Sequence, residues 1–146
     1  HVNLSIEACL LSEFILPVRV YYENTDSGGV VYHSDYLNFM ERARTEWLRS
    51  LALEQDEIIS RYDVIFAVRS VSIDYLKPAV FNDALLVTSR LEKLGKASIN
   101  FHQAILRESD QTLLTRAKVR VASLGASSKK PVAIPEKLYK QFLAFV

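Results

Sequence analysis

The sequence predicts an α+β domain in which a curved antiparallel sheet of about five strands wraps around one long helix. Along the chain, one strand-like run precedes a long helical segment with a broad apolar face, and four strand-like runs follow it. The connections between those four runs are too short for parallel crossovers, so we expect antiparallel hairpins. A helix this apolar must be covered, and a sheet with one apolar face can cover it.

Length and composition favour one domain and exclude several classes of partner. At 146 residues, the chain can bury a full core, and we expect a single domain over residues 1–146, with residues 1–13 unassigned or forming an N-terminal extension. The net charge of +1 gives no global basis for binding nucleic acid. No apolar run is long enough to span a bilayer, so we expect a soluble, cytoplasmic protein without membrane insertion. Cys9 is expected to be an inert thiol.

The first strand and the long helix are predicted from composition and from spacing. β-branched and aromatic residues from Phe14 to Tyr22 indicate an edge strand. From about Ser34 to Leu51, apolar residues recur at steps of three and four, which is typical of one helical face. Ser34 or His33 is expected to cap this helix, with Asp35 as a favourable charge in its first turn.

A short polar helix is predicted at residues 54–61, and the first of the four later strands begins after it. This strand runs from Val64 toward Pro78, and its apolar phase slips by one residue around Arg69 and Ser70. A slip of this kind indicates a β-bulge or a bend.

The remaining strands are predicted from alternation of apolar and polar residues. The runs Ala84–Leu91 and Ala97–Arg107 are expected to be joined by a two-residue hairpin turn at Leu94-Gly95. In the last run, from Leu113 to Val121, inward apolar positions alternate with Arg116, Lys118 and Arg120. Pro135 is expected to open a terminal helix.

Two adjacent glycines mark the stretch with the strongest chemical signal. Of four glycines in the chain, Gly28 and Gly29 lie side by side, two residues after Asp26 and just before the long helix. The pair predicts a tight turn that delivers a carboxylate to a helix start, where unpaired N–H groups stabilise negative charge. On this evidence alone, Asp26 serves equally well as an Asx-turn residue that stabilises the loop.

The same stretch resembles a known family. The run from Tyr22 to His33, YENTDSGGVVYH, together with ERARTE at residues 41–46, resembles the hotdog-fold acyl-CoA thioesterases of the 4-hydroxybenzoyl-CoA thioesterase family, and most closely their bacterial Tol-Pal-associated branch. The likeness extends over VSIDYLKP at 71–78 and LEKLGKAS at 91–98. One departure is Asn24, where many relatives carry an acid.

The resemblance implies a hotdog fold and a homodimer whose two sheets join edge to edge, with active sites shared between subunits and a homotetramer as the expected assembly. By position, Asp26 matches the catalytic carboxylate, His33 the motif histidine and Tyr22 the motif tyrosine. The implied reaction is hydrolysis of an acyl-CoA thioester to the free acid and coenzyme A.

In the implied mechanism, Asp26 attacks the thioester carbonyl or activates a water molecule, and the sequence leaves both routes open. Backbone N–H groups at the helix start would hold the oxyanion, and the candidates are Val31, Tyr32, His33 and Ser34. Basic residues for the coenzyme A phosphates are Lys93, Lys96, Lys129, Lys130 and Arg69. No metal or other cofactor is expected, because His33-Ser34-Asp35 has no second histidine at ligand spacing.

Two other functions stay open at this point. A non-catalytic protein could keep the fold and bind acyl-CoA, an acyl carrier protein or an envelope-associated partner. A hotdog dehydratase is disfavoured, because the Asp-x-Gly-Gly order places the acid first and the expected histidine loop is absent. The acyl preference and the choice between coenzyme A and acyl carrier protein are not set by the sequence.

Overall fold

The structure is a computed structural model that describes residues 13–146, so the predictions for Cys9 and for an N-terminal extension lie outside the described residues. Within this part of the chain the strands are β1 (Phe14–Arg19), β2 (Val64–Tyr75), β3 (Ala84–Leu94), β4 (Ser98–Arg107) and β5 (Leu113–Gly125). The α-helices are α1 (His33–Ser50), α2 (Gln55–Tyr62) and α3 (Glu136–Leu143), and a 3-10 turn covers Tyr22–Asn24.

The five strands form one antiparallel sheet with the order β1-β3-β4-β5-β2. Sequential hairpins join β3 to β4 and β4 to β5, as the short connections predicted. The first two strands of the described chain, β1 and β2, are therefore the two edges of the sheet, and the outer edge of β2 is unpaired within residues 13–146.

Helix α1 supplies the centre of the core, which confirms the predicted apolar face. Its residues Phe39, Met40 and Ala43 are fully buried. Trp47 lies with its ring centroid 5.5 Å from Phe101 of β4, in an edge contact. The sheet buries the matching positions, so helix and sheet cover one another.

The predicted side-chain cap of this helix is wrong. Helix α1 begins at His33, so His33 and Ser34 both lie inside its first turn, and Tyr32 in the cap position makes no side-chain cap hydrogen bond. Asp35 is in the first turn, as predicted. The entry to the helix is fixed by backbone hydrogen bonds from Val31 to Ala79 and from Tyr32 to Asn24, and the pattern at the helix start carries no signal for these contacts.

The predicted bulge in β2 is confirmed. Val68 pairs with Val121 and Ser70 pairs with Arg120, so Arg69 is the extra residue. The extra residue reverses the inward phase of the strand, which is the slip visible in the sequence.

Two predicted boundaries need correction. Strand β1 ends at Arg19 and not at Tyr22, because the Asn24 side chain accepts a hydrogen bond from the Tyr21 N–H at 2.8 Å and closes a 3-10 turn. The β3–β4 turn also lies later than Leu94-Gly95, because Leu94 still pairs with Ile99 and the Gly95 N–H donates to the Ser98 carbonyl at 2.8 Å.

The terminal helix closes the end of the core beside β2. Helix α3 follows Pro135, as predicted, and Leu138 and Phe142 are fully buried. The Phe142 ring lies 5.2 Å from Trp47 and 6.1 Å from Phe66 of β2.

Candidate active site

The Asp26 loop is a tight turn whose hydrogen bonds are mostly local. The Asp26 N–H donates to the Val30 carbonyl at 2.9 Å, and the Gly29 N–H donates to the Asp26 carbonyl at 3.0 Å. Gly29 has a φ of 81°, a backbone conformation that favours glycine. A Cβ on Gly28 would lie 3.2 Å from Asp26 Oδ1, tighter than ordinary van der Waals contact. Both glycines therefore have a structural reason to be there.

The Asp26 carboxylate is exposed, and only one of its oxygens is engaged. Asp26 Oδ1 accepts a hydrogen bond from the Gly28 N–H at 2.8 Å, which is an Asx turn. Oδ2 has no hydrogen-bond partner within residues 13–146. The loop thus fixes the direction of the carboxylate and leaves one oxygen free for chemistry.

The N–H groups at the entry to α1 fall into two sets. The Val31 N–H donates to the Ala79 carbonyl and the Tyr32 N–H donates to the Asn24 carbonyl, both at 2.9 Å. The N–H groups of His33 and Ser34 begin the helix and have no acceptor among the described residues. The predicted oxyanion set of four residues therefore narrows to His33 and Ser34, because the other two N–H groups are already committed.

His33 and Tyr75 form one wall of an open cleft beside this entry. The Tyr75 hydroxyl donates to the His33 carbonyl at 3.0 Å, and the two ring centroids are 6.4 Å apart. The cleft has a volume of about 270 Å³ and is lined by Val31, His33, Tyr36 and Tyr75–Pro78. Tyr75 was not a predicted site residue. Its only sequence signal was its place in the 71–78 motif.

Tyr36 anchors the helix to the connection between β2 and β3. Its side chain is buried, and its hydroxyl accepts a hydrogen bond from the Ala79 N–H at 2.9 Å. Burial raises the pKa of the Tyr36 hydroxyl above its ordinary value of 10.0. Since the Ala79 carbonyl also accepts from Val31, one residue holds both the helix and the end of the glycine loop.

Arg107 in turn holds the connection that carries Ala79. Its guanidinium donates to the Pro78 carbonyl at 3.0 Å and to Asp83 Oδ2 at 3.2 Å. These contacts link the end of β4 to both ends of the connection. The cleft is therefore supported from the sheet as well as from α1.

Asn24 joins the glycine loop to the first turn of α1. Its side chain is buried, its Oδ1 accepts from the Tyr21 N–H at 2.8 Å, and its Nδ2 donates to Asp35 Oδ2 at 3.3 Å. Its carbonyl accepts the Tyr32 N–H. Sequence reasoning noted Asn24 only as a departure from the family pattern and missed this role.

Tyr22 lies on the surface. Its side chain is 74% exposed and stacks on Phe81, with ring centroids 3.8 Å apart and planes at 7°. The structure thus gives Tyr22 a partner in the β2–β3 connection. A role for Tyr22 beside Asp26 stays a prediction.

The predicted coenzyme A residues lie far from Asp26 within the protomer. The Asp26 loop bridges to Val80, next to the start of β3, whereas Lys93 and Lys96 lie at the end of β3 and in the turn that follows. Eleven residues of strand separate these ends, which corresponds to more than about 30 Å. The Lys96 carbonyl accepts from the Ile134 N–H, so the loop with Lys129 and Lys130 belongs to the same far end.

Arg69, the fifth predicted cation, is the exposed bulge residue of β2. Lys129 Nζ already donates to the Ala126 carbonyl in its own loop. One protomer therefore does not bring the four lysines to the Asp26 loop.

Within residues 13–146 no group of three or more His, Cys, Asp or Glu side chains is placed to hold a metal ion. No helix in the same range combines the length and apolarity needed to cross a membrane.

Comparison with known proteins places the chain in a family. Residues 20–142 match the model of the thioesterase-like superfamily, which is most of the chain. The chain belongs to this superfamily. Among relatives, the acyl-CoA thioesterase YbgC of Haemophilus influenzae is 42% identical over 88% of this chain and 93% of the relative. The acyl-CoA thioester hydrolase YbgC of Escherichia coli O157:H7 is 40% identical over 88% of this chain and 95% of the relative.

A solved structure gives the same answer for the fold of this thioesterase-like protein. The 1,4-dihydroxy-2-naphthoyl-CoA thioesterase Slr0204 from Synechocystis superposes with a TM-score of 0.80 at 28% identity, covering 89% of this chain and 93% of that one. The predicted hotdog fold is confirmed by this likeness and by the sheet wrapped around α1.

The geometry of this member of the superfamily suits attack on a carbonyl carbon. A fixed carboxylate with one free oxygen lies on a loop that is bonded to a helix start with two unpaired N–H groups. The first group can supply a nucleophile or a base, and the second can hold developing negative charge.

Proposed function

We propose that the protein hydrolyses acyl-CoA thioesters to the free acid and coenzyme A. The observation that carries the proposal is the Asp26 carboxylate, held by the Gly28 N–H through one oxygen and free at the other. The names of the 40–42% identical relatives support the substrate class. A thioester has a good leaving group, so neither a metal nor a redox cofactor is needed.

Two routes use the same groups. In the first, an Asp26 oxygen attacks the thioester carbonyl carbon, the C–S bond breaks, and water then hydrolyses the mixed anhydride. In the second, Asp26 accepts a proton from a water molecule that attacks the same carbon. In both, the N–H groups of His33 and Ser34 hold the oxyanion, and each such donor supplies about 2.7–4 kcal/mol in comparable sites. The His33 ring lines the cleft, and in the proposed mechanism it hydrogen-bonds near the departing sulfur or orients Asp26.

We infer that the working unit is a homodimer joined along β2. The 12-residue strand β2 is an unpaired sheet edge within the described chain, and Val68, Val71 and Tyr75 on it are each at least 40% exposed. A long edge with apolar side chains calls for a partner strand. Antiparallel pairing about a two-fold axis places the start of β2 in one protomer beside the end of β2 in the other.

This pairing also accounts for the distant lysines. Val64 at the start of β2 pairs with Gly125, so the loop with Lys129 and Lys130 lies at that end of the sheet. In the dimer that end comes beside the partner's Tyr75 and its cleft. The predicted coenzyme A residues would then serve the active site of the other protomer, and a homotetramer of two such dimers stays the expected assembly.

A second candidate is a non-catalytic binder of acyl-CoA or of an acyl carrier protein. The observation in its favour is the Asx turn, since the bond from the Gly28 N–H gives Asp26 a structural role that needs no catalysis.

The experiment that tests the proposed function is release of free thiol from a panel of acetyl, short-chain, long-chain and aromatic acyl-CoA thioesters. We expect enzyme-dependent release from at least one class. If folded protein releases no thiol from any of them, while still binding acyl-CoA or acyl carrier protein, the function is non-catalytic binding and not thioester hydrolysis.

A further inference from the structure

A second cavity lies between α1 and the sheet, away from the His33 cleft. Its volume is about 270 Å³, slightly below the range of roughly 300–1,000 Å³ that is usual for small-molecule pockets. Buried Trp47, Ile99 and Phe101 form an apolar floor, and the more exposed Glu41 and Val68 lie at its mouth. The size suits a short acyl chain.

Arg44 lies in the wall of this cavity, and most of its hydrogen-bond donors have no partner among the described residues. Its Nη1 donates to Gln103 Oε1 at 2.8 Å. Gln103 is fully buried and fixed in turn, since its Nε2 donates to the Met40 carbonyl at 3.0 Å and to Ser89 Oγ at 2.8 Å. A guanidinium carries five N–H donors, and within residues 13–146 the others of Arg44 have no partner and no carboxylate at ion-pair distance.

Glu41 supplies the complementary acceptor. It lies one helical turn before Arg44 and lines the same cavity. Burial lowers the pKa of Arg44, and the charge of Glu41 opposes this. A hydroxyl group between them can accept from Arg44 and donate to Glu41. A plain hydrocarbon chain leaves the remaining N–H donors of Arg44 without an acceptor, and a carboxylate is repelled by the charge of Glu41.

We propose that this cavity receives the acyl group of the substrate, and that Arg44 and Glu41 select acyl chains that carry a hydroxyl group. The proposal rests on the proposed function. It assigns a role in substrate selection to Arg44 and Glu41, for which the family resemblance implied no role.

The cavity of one protomer faces the cleft of the other. His33 and Arg44 are eleven positions apart on α1, about 16 Å along the helix, which is too far for a short acyl chain bound at the same protomer's Asp26. Phe66 and Val68, from the first half of β2, line the cavity, whereas Tyr75 at the end of β2 lines the cleft. The antiparallel two-fold pairing inferred above brings these two ends together.

The test compares hexanoyl-CoA with hexanoyl-CoA analogues that carry a hydroxyl at successive carbons. The readout is the ratio of kcat/KM for the best hydroxylated substrate to that for the plain one, because this ratio cancels losses of folded protein. We expect a ratio of at least about ten in the native protein. Arg44→Met should lower the ratio to about one, and Glu41→Gln, which leaves no buried group unpaired, should lower it in the same direction.

Arg42→Met is the matched control. Arg42 lies on the same helix, but its guanidinium is over the Phe39 ring and outside the cavity, so the ratio should not change. A native preference for the plain chain, or a ratio unchanged in both Arg44→Met and Glu41→Gln, would overturn the proposal. If the wider panel of acyl-CoA thioesters releases no thiol either, the proposed function has failed and this proposal fails with it. Hydrolysis of another member of that panel, with neither hexanoyl series hydrolysed or bound in calorimetry by Asp26→Asn, overturns only the proposal. Hydrolysis of both at equal rates overturns only the proposal.

Discussion

Asn24 is the residue that joins the carboxylate loop to the helix start. Its amide nitrogen donates to Asp35 and its amide oxygen accepts from Tyr21, so an isosteric carboxylate can replace only the second contact. Asp26 itself has no direct bond to α1 among the described hydrogen bonds. The position of the Asp26 carboxylate relative to the N–H groups of His33 and Ser34 therefore depends on Asn24 as well as on Ala79.

Asn24→Asp is expected to lower kcat at neutral pH by about tenfold or more, because two carboxylates would then face each other at hydrogen-bond distance. Lowering the pH should restore activity in part, since a shared proton rebuilds the bond to Asp35. A kcat profile against pH, compared with that of the native protein, measures both effects.

The double substitution Asn24→Asp with Asp35→Asn is the control. It reverses donor and acceptor, so it should recover most of the activity and lose the added pH dependence. Equal damage in the single and double variants would show that Asn24 has no positioning role.

Individual site residues can be predicted from sequence when the feature that marks them lies within a few positions. Gly28 and Gly29 mark the turn, because the positive φ of Gly29 favours glycine, and Asp26 is recognised by its place two residues before them. Tyr75 and Ala79 acquire their roles from segments 42 and 43 residues away. Asn24 acquires its role from the first turn of α1, 11 residues away. For that reason the local pattern left Val31 and Tyr32 as free donors when both are bonded.

Among the elements, β2 and α1 were predicted nearly to the residue. The spacing of apolar residues can be read within each segment, and it predicts which side chains are buried when the sheet packs on the helix. The ends of elements were harder. β3 continues past Leu91 because Lys93 and Leu94 pair with residues of β4. The sequence around Lys93 and Leu94 does not predict this pairing.

The outer face of the sheet carries a pH-dependent contribution to stability. His102 lies on β4 opposite Arg90 of β3 and Lys118 of β5. Partial burial, together with the charges of Arg90, Lys118 and Arg116, lowers the pKa of His102 below its ordinary 6.5, against the opposing charge of Glu92. The unfolded chain then binds the proton more readily, so stability falls as the pH drops below about 6.5.

His102→Gln is expected to remove that part of the pH dependence. Urea unfolding at a series of pH values from neutral to mildly acid gives the free energy of unfolding for both proteins. The native protein should lose more stability on acidification than the variant. Parallel curves would contradict the account of this face.

For the whole molecule, the central inference is that each active site is built from two protomers. The sheet edge at β2, the lysines at the far end and the Arg44 cavity all point to the same two-fold arrangement. Sequence alone could not place these groups relative to one another, because their separation depends on the strand order.

Mixing two inactive variants tests this arrangement. Asp26→Asn removes the carboxylate, and Thr45→Trp fills the cavity that Thr45 lines. After unfolding and refolding a one-to-one mixture, half of the dimers are mixed and one of their two sites is intact, so about a quarter of native activity should return. Activity no greater than that of the separate variants would place both groups in the same protomer's site.

Free-thiol release by Asp26→Asn, with the best substrate of the native protein, tests the proposed role of Asp26 most directly. Asparagine can still accept the Gly28 N–H, so the Asx turn and the loop survive while the nucleophile or base is lost. Asp56→Asn, at an exposed aspartate on α2, is the matched control and should retain full activity. We predict a fall in kcat of at least about a hundredfold for Asp26→Asn. Near-native turnover by a folded Asp26→Asn protein would show that Asp26 only shapes the loop, and would contradict the mechanism.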